Sequence, residues 1–169
     1  MAGFPRAVVP LAEASPKAVG NVLRLNQLNA AELSELDHAR LKQLIAKAFH
    51  AASIDEGMAF LIAFEQDADY DSSNFQWFQS RYSRFVYVDR VAVAGSARGQ
   101  GLASYLYQDL FAAAAAAGHS LVACEVNACP PNPASDSFHR AHGFEEIGRA
   151  RLGSGKTVRY FIKRLSHLE

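Results

Sequence analysis

The sequence predicts a single α/β domain, and three observations carry that expectation. Its 169 residues, half of them apolar, suffice for one filled core and sit within the roughly 100–200 residues of a single domain. Strand-like runs alternate with helix-period segments along the chain, with no internal repeat and no linker between them. Two turn-rich stretches, Asp55-Glu56-Gly57 and Leu152 to Thr157, join neighbouring apolar runs as strand pairs.

Each element follows in order. Residues 1–20 read as a loose lead-in, because Pro5, Pro10 and Pro16 break the apolar stretch before it could form a signal-peptide core or a membrane span. The domain proper is expected over 21–169. "NVLRLN" (21–26) reads as a short strand. Residues 29–48 read as one helix or two, with Asn29 as N-cap, Glu32 completing a capping-box variant, and Leu33, Leu36, Leu41, Leu44 and Ile45 on the buried face. The runs 49–55 and 58–66 form a hairpin, residues 67–83 interrupt the strands, and "RFVYVDRVAVA" (84–94) resumes as a strand rich in β-branched and aromatic residues. In 102–118, Leu102, Leu106 and Leu110 recur every fourth residue, alanines follow, and Gly118 ends the helix. "SLVACEVN" (120–127) is a buried strand; Asn132 before Pro133 opens a helix that Gly143 closes; 144–151 and 158–165 form the closing strand pair.

Charge and cysteine content narrow the function classes. Seventeen basic residues balance seventeen acidic ones, so the broad positive footprint that nucleic-acid or anionic-membrane binding requires is not expected. Cys124 and Cys129 lack the second ligand pair of a zinc site and read as two reduced thiols of a soluble, cytoplasmic protein. His139 and His142, three apart, have no carboxylate or cysteine to complete a ligand set, so no metal is expected.

The stretch "AGSARGQGLAS", Ala94 to Ser104, has three glycines and an arginine between a strand and a helix. Glycines this dense let main-chain N–H groups approach a phosphate-bearing ligand. A triphosphate P-loop would need Lys and Ser or Thr after the last glycine, where Leu102 and Ala103 stand, and the later "GSGKT" (153–157) has no helix to open. A dinucleotide unit would use Gly99, Gly101 and Glu125, yet Ser104 replaces the third glycine and too few βα units follow.

Arg98-Gly99-Gln100-Gly101-Leu102-Ala103 fits R/Q-x-x-G-x-G/A and resembles the acetyl-CoA pyrophosphate loop of the GNAT N-acetyltransferase superfamily. Downstream, "NPASDSFHRAHGF" resembles the family's N-x-x-A-x-x-L-Y-x-x-x-G-F segment, with Asn132, Phe138, Gly143 and Phe144 in register. The resemblance implies a mixed, mostly antiparallel sheet flanked by helices, in which two parallel strands splay into a wedge for the cofactor, acetyl-CoA. It implies that the main chain of Val91, Ala92 and Val93 meets the pantetheine arm, that Arg98 to Ala103 and the Ser104 hydroxyl hold the pyrophosphate, and that Asn127 and Asn132 flank the arm.

The activity implied is acetyl transfer to an amine: a small amine, an amino-acid derivative or a peptide N-terminus. The chain's main-chain N–H at Val91 would face the thioester carbonyl, Asp89 or Glu125 would serve as base through water, and His139, where the family places tyrosine, would act as acid while charged, with Tyr87 and Tyr105 as substitutes. Each has a plainer reading: Asp89-Arg90 as a surface pair on a strand, Glu125 as a hydrogen-bonded strand carboxylate. Tyr70, Phe75, Trp77, Phe78, Tyr82 and Tyr87 read either as an acceptor wall or, through Tyr82, as a satellite cluster packing the 67–83 segment. The departure at His139 keeps a catalytically silent acyl-CoA-binding or sensor module as the alternative. The sheet edge at the closing strand pair permits a homodimer.

Overall fold

In the computed structural model, which describes residues 6–166, seven strands form one sheet: β1 (Val8–Pro10), β2 (His50–Ile54), β3 (Ala59–Glu65), β4 (Val86–Val93), β5 (Leu121–Cys129), β6 (Glu145–Arg151) and β7 (Thr157–Arg164). Their order is β1-β2-β3-β4-β5-β7-β6. Every neighbouring pair is antiparallel except β4 and β5, which run parallel. Helices α1 (Pro16–Leu28), α2 (Ala30–Leu33), α3 (His38–Lys47), α4 (Ser73–Gln79), α5 (Leu102–Ala116) and α6 (Pro133–Ala141) complete the domain. The expected mixed, mostly antiparallel sheet flanked by helices is what forms. No helix among the described residues is long and apolar enough to cross a membrane.

The central strand explains the layering. β3 reads AFLIAFE and is buried almost throughout, a pattern that requires cover on both faces. Phe60, Ile62 and Phe64 join the core beneath α1, α3 and α4, whereas Ala59, Leu61 and Ala63 join the core beneath α5 and α6. α5 buries Leu106, Tyr107, Leu110 and Ala114 at helical spacing.

Three expectations are corrected. "NVLRLN" is not a strand: Ser15 caps α1 by accepting from the Ala18 N–H, Pro16 sits at its start, and Ala18, Val22 and Leu25 bury at helical spacing. A window opening at Asn21 misses the cap and sees only alternation. Asn29 does not cap the next helix; its amide donates to the Leu25 carbonyl at 2.9 Å, and the cap of α3 is Asp37, which accepts from the Arg40 N–H at 2.7 Å. The lead-in is structured where described: β1 pairs with β2, and Pro10 and Pro16 punctuate a strand end and a helix start; residues 1–5 of it lie outside the described residues. Residues 67–83 interrupt the strands as expected, and they do so with α4, capped by Ser72, which drives Phe75 and Phe78 into the core.

The sheet's one parallel pair positions the site. β4 and β5 pair only at Val86↔Val122 and Tyr87↔Ala123, then part. β4 continues along β3 to Ala59↔Val93 while β5 continues along β7 to Cys129↔Thr157. Ile62 opposes Arg90 and Ala63 opposes Val88, so Asp89 is the extra residue of a β-bulge, which bends β4 away from its neighbour.

Candidate active site

Between the parted strands lies a cleft of about 620 Å³, within the size range of small-molecule sites. Val88 to Val93 line one wall and Cys124 to Asn127 the other; Arg98, Gly99, Ala103 and Tyr107 border it on the α5 side, and Asn29, Glu32 and Leu33 on the α1–α2 side. It thus runs through the sheet from one helical layer to the other. The Ala94 N–H bonds the Met58 carbonyl at 2.7 Å on the β3 side. Main-chain groups alternate along a strand, so those of Val93 and Val91 face the cleft, where β5 no longer supplies partners.

The loop expected to hold phosphate has a backbone reason for its glycines. Gly99 and Gly101 have φ of +79° and +75°, which disfavours any side chain, and a Cβ at either would meet nothing within 4 Å. The space over the loop is open for a ligand. α1, α3, α4 and α6 are each capped by a side chain, at Ser15, Asp37, Ser72 and Asn132, but α5 starts from Gly101 with none. The N–H groups of Leu102, Ala103 and Ser104 therefore lack helical partners, and the helix dipole favours an anion there. Leu102 itself points into the core, and Gln100 is exposed.

The two candidate bases occupy different environments. Asp89 accepts from the Tyr70 hydroxyl at 2.5 Å and from Arg90 Nε at 2.7 Å, while Arg90 also bonds Asn26 Oδ1 at 2.8 Å. Both members of the pair are about 95% covered, at 6% and 5% side-chain exposure. Asp89 is thereby a neutralised structural carboxylate, and its expected role as base is not what its surroundings serve. Glu125 accepts from the Tyr87 hydroxyl at 2.6 Å and is also hydrogen-bonded by Asn74. Burial pushes its pKa up to about 8, partly opposed by the Tyr87 hydrogen bond. Once ionised, a carboxylate with that proton affinity can take a proton from an amine.

His139 departs from expectation. Its Nδ1 lies 2.7 Å from the Ser135 carbonyl and its Nε2 lies 2.6 Å from the Tyr107 hydroxyl. A carbonyl only accepts, so Nδ1 carries the proton and Nε2 accepts from Tyr107. Burial lowers the His139 pKa, which disfavours the cationic form that the acid role needed. Of the substitutes, Tyr87 is committed to Glu125 and Tyr105 is exposed on the outer face of α5. A tyrosine O–H group that the cleft does present on this side is that of Tyr107, which the sequence reading missed. The signal was available: Tyr107 is four residues after Ala103 of the loop and so shares its helix face.

The aromatic segment divides. Phe75, Phe78 and Tyr87 are fully buried and cannot form a rim; they pack as core. Tyr70 stacks on Phe64 and binds Asp89, Tyr82 packs against the same core, and Trp77 stacks on Tyr160 at 4.0 Å with the Arg81 guanidinium 3.8 Å over its ring. None of the six lines the cleft, so packing is the role their positions serve. Asn132 caps α6 by accepting from the Ser135 N–H at 3.4 Å, and Asn127 and Asn132 both border the cleft.

Comparison with known proteins agrees with this geometry. The model of the acetyltransferase (GNAT) family matches residues 72–144, bearing out the resemblance drawn from the loop and the Asn132–Phe144 segment. No curated protein matches the chain. Among solved structures, the Ard1 protein of Thermoplasma volcanium superposes with a TM-score of 0.74 at 15% identity, over 98% of this chain and 100% of that one. The ribosomal-protein-S18-alanine N-acetyltransferase of Escherichia coli gives 0.68 at 14%, over 98% and 97%. The NAA60 protein of Arabidopsis thaliana in complex with acetyl-CoA gives 0.71 at 14%, over 95% and 99%.

Proposed function

From the premise that this chain carries the GNAT family's acetyltransferase segment within a fold shared along its length with N-acetyltransferase structures, we propose that it moves an acetyl group from acetyl-CoA to an amine by direct attack. The observation that carries the reading is the coincidence of an uncapped α5 with the parting of β4 and β5. Acetyl-CoA would supply the activated thioester. The chain's N–H groups at Leu102 to Ser104 would hold the diphosphate, and the free ladder groups of Val91 and Val93 would take the pantetheine amides. The Val91 N–H would also stabilise negative charge on the carbonyl oxygen.

The two faces of the cleft divide the proton transfers. Glu125 faces the α1–α4 layer with Tyr87 and Asn74, and serves as base, through water, for an amine entering past Asn29, Glu32 and Leu33. Tyr107 faces the α5–α6 layer and holds its proton toward His139 Nε2, from which it can turn to the departing sulfur; His139 positions it. Lys156 of the β6–β7 turn donates to the Ala31 carbonyl, tying that turn to the acceptor side. Peptide N-termini head the acceptors to try, since the Escherichia coli relative is named for a protein alanine.

Thiol release from acetyl-CoA with peptides, amino acids and small amines tests the proposal. Turnover with at least one acceptor is expected. Tight binding of acetyl-CoA with no turnover on any acceptor would favour the acyl-CoA-binding module instead.

A further inference from the structure

We propose that His142 governs the affinity of the phosphate loop by deciding where the Ser104 hydroxyl sends its proton, so that coenzyme A binding is coupled to proton uptake at this ring. The inference rests on reading the start of α5 as the diphosphate site. His142 Nδ1 lies 2.8 Å from the Phe138 carbonyl, which can only accept, so Nδ1 holds a proton in either charge state. In the neutral ring Nε2 is then a bare acceptor. Ser104 Oγ stands 2.8 Å from it and must donate to it.

A hydroxyl has one proton. While His142 is neutral, Ser104 spends that proton on the ring and turns only lone pairs toward an anion at the helix start. Once the ring is cationic, Nε2–H donates to Oγ, and the hydroxyl proton is released to swing toward the phosphate beside the free N–H groups of Leu102 to Ser104. The positive charge arrives at the same place, so both effects favour the diphosphate.

The ring is held for this role. It stacks on Phe138 at 4.1 Å, and its own carbonyl accepts from Lys163 Nζ at 2.7 Å. The groups facing it are Ser104 from α5, Phe138 and the buried His139 from α6, and Lys163 from β7. No carboxylate pairs with the ring among the described residues, so the ligand's diphosphate would be its counter-charge.

Calorimetric titration of the full chain with coenzyme A, at about pH 6 and about pH 8 in buffers of differing ionisation heat, tests this within histidine's titration range. Repeating it with coenzyme A lacking the 3′-phosphate removes that group's own titration. Binding is expected to be about tenfold tighter at the lower pH, the size of one charge-assisted hydrogen bond gained, with net proton uptake. Ser104→Ala, which removes the hydroxyl and leaves the charge of the ring, should shrink the low-pH gain. His142→Gln, whose amide N–H can donate to Ser104 at any pH, should bind with little pH dependence; if its thermal melt shows it unfolded, Ser104→Ala decides alone. Both variants binding with the wild-type pH slope and proton uptake would overturn the role of His142 while leaving the cofactor site standing. No binding at either pH by the folded wild-type chain would instead overturn the cofactor reading itself.

Discussion

The two walls of the cleft each carry a carboxylate, and the comparison between them shows how environment assigns chemistry. On β4, Asp89 is closed in by Arg90 and Tyr70; its charge is matched, and removing it would strand a buried guanidinium. On β5, Glu125 has only neutral hydrogen-bond partners, Tyr87 and Asn74, and burial pushes it up to about 8. Two acids near one cleft thus differ in what they can do: one holds β4 against α1 through Asn26, the other can exchange a proton.

The largest test of that difference is Glu125→Gln, which should lower kcat by about 10²–10⁴-fold, the range of a lost general base, with acetyl-CoA affinity preserved in a binding titration. In the wild type, kcat/KM should rise with pH through a midpoint near Glu125's value of about 8, since the base must be ionised. The stability sign is opposite. A carboxyl whose folded pKa is raised contributes stability below its unfolded value of about 4.5 that is lost as pH rises through about 8, so Glu125→Gln should melt higher than wild type at alkaline pH.

Asp89→Asn should break the comparison from the other side. Leaving Arg90 buried beside a neutral amide should cost about 3–5 kcal/mol, read as a lower Tm, while the folded fraction keeps most of its activity; a lost kcat at unchanged Tm would return the base role to Asp89. Gly101→Ala places a side chain at φ +75° and should raise the acetyl-CoA KM about tenfold, on a backbone strain of about 1–2 kcal/mol, with kcat little changed. Tyr87→Phe removes the hydrogen bond that holds Glu125 down, so the pH–rate midpoint should move above the wild-type value. The smallest kinetic effect belongs to Trp77→Ala, which should lower Tm through its lost stack on Tyr160 and leave the acceptor and acetyl-CoA KM alike.

The loop at Arg98–Ala103, the α5 helix and the Asn132 cap were legible in the sequence because local rules specify them: positive φ demands glycine, periodicity marks a helix, and an Asn before Pro starts one. Helix α1 was misread because its cap at Ser15 lay in a segment dismissed for its prolines. The fold family and the loop proposed to hold the diphosphate were likewise within reach of one-dimensional pattern. Which carboxylate is free, which tautomer His139 and His142 hold, and that Tyr107 borders the cleft were decided only by tertiary structure. These depend on partners far apart in the chain, Asp89 with Tyr70, Glu125 with Tyr87, Ser104 with His142, and a side chain's proton affinity is set by what surrounds it in space, whereas a backbone turn is set by its own few residues.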